Sequence, residues 1–425
     1  MRAVAVVLVL AACGDASTRV DADTTSTSTS SSGDASTSST SSEGGTTVYV
    51  DTSSAMGESS ESSSDTGAPA VAWDEGSFRV LPATSGDLVA FVDALAYPED
   101  GDYATLTDDR ETRVLAFITA MDLAIESGRI DGAAADWCGV LALATDADYA
   151  LQRFFDTPSQ RWFVFAEDTT NDGQAYLVVN PEAKRDLVLE VPHHPHDSAT
   201  APQGARLLRA LAARALVLNK EHRCSDPDPT SCPGTTTVCA GAYRESDVAH
   251  HTRNTFHVLH KWWSDRDVET VFVQLHGFAA PDGDHAEVGD GTNNDFDPTS
   301  IATAFATALA SHGPEPASIH ACQAAEGPTP ENMCGTNNLQ GRYTNEAGID
   351  ECFESTTMSS GRFVHIEQST TLRDDDERDG WSWTDVRDAI ADVWPTCALG
   401  RAREDCALGP AQPQHAACTC GDPCP

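Results

Sequence analysis

The stretch Leu187–Ser198 reads LVLEVPHHPHDS. A mostly apolar run passes straight into His193, His194, His196 and Asp197. Imidazole and carboxylate are the ligands zinc takes from proteins, and a catalytic site keeps one position open for water. Three other apolar runs end in the same manner. ALVLN is followed by Lys220, Glu221, His222 and Arg223, TVFVQL by His276 and Gly277, and RFVHI by Glu367, with Thr370, Thr371 and Arg373 beyond. One histidine at a strand end is ordinarily a satisfied surface or core side chain. Four polar ends, far apart in sequence, predict a shared site, because an α/β sheet binds ligands outside the carboxyl ends of its strands.

The chemistry that fits is metal-assisted hydrolysis. His193, a second ligand three or four residues on, and the distant His276 supply three ligands. A bound metal makes water acidic and polarises a carbonyl. A carboxylate that is not a ligand moves the proton, and Glu367 is the candidate. The implied cofactor is Zn2+.

This order of residues resembles the N-formylglutamate amidohydrolase group, related in fold to zinc carboxypeptidases. The resemblance rests on His193 with its near neighbour, His276 in VQLHGF and Glu367 in VHIEQSTTLR, and covers roughly residues 185–375. It implies a zinc site made of a His, a nearby acidic residue and a distant His, with a Glu on a later strand as base. The carboxypeptidase pair is His-x-x-Glu. Here that spacing leads to His196, with Asp197 one further. A carboxylate matches the family's ligand type, so Asp197 is preferred and His196 stays the alternative. By the same analogy Arg342 and Arg223 are candidates to hold a substrate carboxylate or polarise a carbonyl. His250, in SDVAHHTRNTF, joins them as a substrate-binding candidate. Asp247 reads as a helix N-cap, Arg253 as half of a surface salt bridge, and His285, among turn residues, as solvated loop.

The elements that must position these groups alternate. Helical spacing of apolar residues covers 87–96, 111–128, 203–214, 254–263, 300–313 and 382–394. Strand patterns cover 161–167, 175–180, 187–191, 215–219, 270–275, 317–322 and 362–368, the first two paired around DTTNDG. Continuous β-rich runs between amphipathic helices predict an α/β fold, with a mainly parallel or mixed sheet and helices on both faces. The resemblance makes this zinc carboxypeptidase-like (phosphorylase/hydrolase-like).

The ends of the chain set its expected context. MRAVAVVLVLAAC over 1–13 reads as a signal peptide whose end resembles a lipobox, with Cys13 lipidated. Residues 14–69 form a Ser/Thr-rich linker with almost nothing to bury, expected to be disordered. One catalytic domain is expected over 70–425. Behind an export signal, the twelve cysteines after Cys13 predict disulfides, with Cys224, Cys232 and Cys239 stapling one loop. This places the protein in a bacterial cell envelope, at the outer membrane or cell surface, touching membrane only through its lipid.

Sixty-six acidic against 26 basic side chains exclude nucleic acid as a natural partner. No Gly-x-Ser-x-Gly elbow is present for a serine hydrolase. The expected partner is a small-molecule or peptide substrate, and the expected state a monomer. The alternative is a non-catalytic, surface-displayed binding lipoprotein on the same fold.

Overall fold

The fold is that of a computed structural model. It describes residues 77–97, 103–130, 135–170, 172–279, 283–294, 296–325, 328, 332–346, 348–374, 379–394, 412 and 420. The signal peptide over 1–13 with Cys13, the whole linker over 14–69 and nearly all of the C-terminal tail lie outside these residues.

In chain order, β1 (Ala83–Gly86), α1 (Leu88–Asp93), α2 (Asp108–Ile130) and α3 (Trp137–Asp146) precede β2 (Tyr149–Asp156), β3 (Arg161–Asp168), β4 (Tyr176–Val179) and β5 (Leu187–Val191). Next come α4 (Thr200–Ala210), β6 (Ala215–Leu218), the small ribbon β7 (Thr235–Thr236) and β8 (Gly241–Ala242), and α5 (Thr255–Arg266). The chain continues through β9 (Val271–Leu275), β10 (Ala286–Gly289), α6 (Ile301–His312), β11 (Ile319–Ala321) and α7 (Leu339–Asn345). It ends in β12 (Phe363–Gln368), α8 (Thr370–Arg373) and α9 (Trp383–Val393).

Ten strands form one mixed sheet in the order β1-β2-β3-β4-β6-β5-β9-β12-β10-β11. Its centre, β6-β5-β9-β12, is parallel throughout. Strands buried on both faces need apolar residues at every position, and β5, β6 and β9 have that composition apart from two polar residues, Glu190 and Gln274. Strand alternation divides the core. Leu189, Val191, Leu216, Leu275 and Ile366 pack with α1, α4, α6 and α9 on one face. Val188, Val217, Phe272 and Phe363 pack with α2, α3 and α5 on the other. Glu190, Gln274, His365 and Glu367 share the parity of this second set, so they face the α5 side.

The helix and strand patterns read from the sequence are present, with boundaries shifted by a few residues. Some elements were not legible. The segment around His285 is not solvated loop: His285 is buried, its Nδ1 is 3.1 Å from Ser369 Oγ, and the next four residues form β10 between β12 and β11. Ala-Glu-Val-Gly carries a charge and a glycine among its four residues, so it shows no apolar run. Asp247 does not cap α5. Asn254 does, accepting from His257 N.

Four disulfides join described residues: Cys138–Cys420, Cys224–Cys239, Cys232–Cys352 and Cys322–Cys334. Cys224 and Cys239 close the expected loop, but Cys232 leaves it and ties it to Cys352. Among the described residues no helix is long and apolar enough to cross a membrane.

Candidate metal centre

At the carboxyl ends of β5 and β9 the chain places His193 and His276. The backbone after Pro192 makes one helical turn, in which Asp197 N donates to His193 O at 3.0 Å. That turn puts His193 and Asp197 on the same side, which is why the spacing is His-x-x-x-Asp. His276 extends the ladder beyond β9, its N–H donating to Ile366 O at 2.9 Å.

Three donor atoms converge. His193 Nδ1 and His276 Nδ1 lie 3.0 Å apart, and each is 3.6 Å from Asp197 Oδ2. All three residues are buried. A tetrahedral zinc with arms of about 2.0–2.1 Å places its ligand atoms roughly 3.3–3.4 Å apart. The observed triangle brackets that value.

The proton positions agree. His193 Nε2 faces Asp247 Oδ1 at 2.9 Å, and His276 Nε2 faces Gln274 Oε1 at 2.7 Å. Both partners accept, so both Nε2 atoms carry the hydrogen. Arg223 Nη1 lies 3.0 Å from His193 Nδ1. A guanidinium can only donate, so this Nδ1 is a lone pair for a second, independent reason. Two imidazole lone pairs 3.0 Å apart beside a carboxylate form a nest for a cation. The residues present therefore fit a zinc ion, with the outer histidine nitrogens tied down as metal-binding histidines require.

Asp247 is the hub of the surrounding shell. It accepts from His193 and His250 on Oδ1, at 2.9 and 3.0 Å, and from Arg223 Nε and Nη2 on Oδ2, at 3.2 and 2.6 Å. Burial opposes its charge, but Arg223, His250 and His193 hold its carboxyl well below the usual range. Asp197 is likewise buried, and the neighbouring His193, His196 and His276 hold its carboxyl well below the usual range. Burial, reinforced by His365 and His193, keeps His276 neutral, as a metal ligand must be.

Glu367 lies beside the triangle without joining it. Its Oε1 is 3.9 Å from His276 Nδ1 and 3.5 Å from His365 Nε2, and its side chain is 15% exposed. The longer approach and partial access to solvent suit a proton-transfer group rather than a ligand. His196 lies outside the donor set: its Nδ1 is 3.0 Å from the other oxygen of Asp197. His250 stacks on Tyr243 with ring centroids 3.7 Å apart, and burial lowers its pKa. Arg342 is not drawn in. Its guanidinium donates to Thr336 O, Glu351 O, Cys352 O and Asn337 Oδ1, so it holds a loop. Arg373 is similarly spent on Ser369 O and Ser198 O. Arg253 pairs with Asp108 at the surface at 2.6 Å.

One group at the site, His365, escaped the sequence reading, and another, Asp247, was read as a helix cap. Asp247 sits in a loop with no periodicity to mark it. His365 was available, because it precedes Glu367 by two residues on a strand and so shares its face. Its ring centroid is 4.2 Å from that of His276.

No protein-family profile and no curated protein sequence matches the chain. Among solved structures it is similar to a metallo-carboxypeptidase from Pseudomonas aeruginosa in complex with (2-guanidinoethylmercapto)succinic acid, at 16% identity and a TM-score of 0.27 over 52% of this chain. It is also similar to a metallo-carboxypeptidase from Burkholderia cenocepacia, at 15% identity and a TM-score of 0.26 over 52% of this chain. The chain spans 58% of the length of each. Likenesses of this size add no weight to what the chain's own residues say.

Proposed function

We propose that the protein is a zinc-dependent hydrolase of amide bonds, with His193, Asp197 and His276 as ligands and Glu367 as general base. The observation that carries this reading is the convergence of His193 Nδ1, His276 Nδ1 and Asp197 Oδ2, at 3.0–3.6 Å, with both Nε2 atoms tied to acceptors. A zinc ion bound there supplies a Lewis acid for a carbonyl oxygen and makes water nucleophilic near neutral pH. Glu367 takes the proton from that water and delivers it to the leaving amine. Asp247 holds the Arg223 guanidinium by Nε and Nη2 and leaves Nη1 facing the donor set. Nη1 donates to the oxyanion as negative charge develops there. The substrate class is an amide next to a free carboxylate, an N-acyl amino acid or the end of a cell-wall peptide. The order His193, Asp197, His276 and Glu367, which resembles that of N-formylglutamate amidohydrolases, supports that choice. The setting proposed is an exported, lipid-anchored protein, supported by the four disulfides and the lipobox-like start.

The test is a screen of N-acyl amino acids and peptidoglycan fragments with zinc-loaded protein. Glu367→Gln is expected to retain zinc and lose activity by about 10²–10⁴. If a substrate were turned over equally by wild type and Glu367→Gln, the role of Glu367 would be wrong. If zinc-loaded protein hydrolysed none of them, this substrate class would fall.

A further inference from the structure

Behind His276, away from the open side of the site, lies a line of buried polar side chains that the proposed chemistry does not use. Gln274, Glu190 and His260 are each 0% exposed. Glu190 interrupts the otherwise apolar LVLEV, and Gln274 stands directly opposite it on β9. Taking a carboxylate wholly out of water is costly until it is paired. A strand of this composition would be expected to hold another Val or Leu there.

The contacts form a directed chain. His276 Nε2 lies 2.7 Å from Gln274 Oε1, and Gln274 Nε2 donates to Glu190 Oε2 at 3.1 Å. The second Glu190 oxygen is 2.8 Å from His260 Nδ1, and His260 Nε2 is 2.7 Å from Thr344 Oγ1 on α7. Asn338 Nδ2, at the start of α7, also donates to Gln274 Oε1.

An amide can be turned over, exchanging oxygen for nitrogen. Here one orientation satisfies every group. A carboxylate only accepts, so Glu190 draws the NH2 of Gln274 and turns its oxygen toward His276. That oxygen requires the hydrogen of His276 on Nε2, which leaves Nδ1 as a lone pair. The flipped amide would set its NH2 against the NH2 of Asn338 and would call for the other His276 tautomer.

We infer that Glu190 and Gln274 are positioning residues that fix the metal-binding tautomer of His276 from the α5 face of the sheet, with His260 and Thr344 holding Glu190. The inference rests on the zinc reading above and concerns affinity for the metal, not the substrate.

The experiment is zinc affinity of the full chain by chelator competition. Glu190→Leu removes the acceptor of the Gln274 NH2 and releases the amide to flip. It is expected to weaken zinc about 10–100-fold. The exchange Glu190→Gln with Gln274→Glu restores an acceptor to His276 and a donor opposite it, and is expected to recover most of the loss. Leu309→Ala, in the core of the opposite face, lowers the unfolding temperature but leaves zinc affinity unchanged. Should Glu190→Leu fail to fold, Gln274→Leu carries the test, with the same loss expected. Wild-type affinity in the single variants, or no recovery in the exchange, overturns the inference while the zinc site stands. A wild-type protein that binds no zinc overturns both.

Discussion

Arg223 shows how much of the site depends on the geometry of single side chains. It reaches Asp247 through Nε and Nη2 and His193 through Nη1. Burial disfavours its charge, but Asp247 and Asp197 more than restore it, so it stays a guanidinium cation. Lysine keeps the charge but not the planar fork. Arg223→Lys is therefore expected to lower kcat/KM by roughly 10²–10³, the usual loss for one oxyanion donor. Zinc content should stay at the wild-type level. Steady-state kinetics with elemental analysis of the same preparation checks both halves. A parallel loss of zinc would show that Arg223 serves the ligands instead.

At the scale of elements, the site depends on strands that end together and on a loop pressed against them. Gly335, next to the Cys322–Cys334 disulfide, has φ +63°, and a Cβ there would lie 2.7 Å from His365 Cγ. Gly335→Ala meets both a strained backbone and a packed ring. It is expected to destabilise the protein by about 1 kcal/mol or more, read as a lower urea midpoint. An unchanged midpoint would mean that the loop can withdraw from His365. The elements legible in the sequence were those with room to show a pattern. β5, β6, β9 and β12 are apolar runs, and the polar residues after them located His193, His276, Glu367 and Arg223. β10 was illegible because Ala-Glu-Val-Gly, with a charge and a glycine in four residues, makes no apolar run. The role of Asp247 was illegible because two of its partners, Arg223 and His193, come from distant segments. Arg342 read as a substrate group because its sequence cannot show that loop carbonyls engage it.

Over the whole molecule, the buried histidines set the response to acid. Burial lowers His251 and His257 from 6.5 to about 4 in the folded chain, although Glu351 opposes this at His257. The unfolded chain therefore binds these protons first. The stability they contribute is fully present above pH 6.5 and is lost as pH falls from 6.5 toward 4. His251→Gln is expected to flatten the fall in unfolding free energy over that window by about one proton's worth of slope. An unchanged slope would show that His251 takes up its proton without opening the fold. Acid would also release a metal held by His193 and His276, because imidazole ligands must be neutral to bind. The central claim is that β5 and β9 bring His193, Asp197 and His276 together to hold one catalytic zinc. Elemental analysis of purified protein tests it most directly. The account predicts about one zinc per chain in wild type and in Glu367→Gln, and almost none in His276→Ala. Zinc lost equally from both variants would make Glu367 a ligand, and no zinc in the wild-type protein after incubation with the metal would contradict the site itself.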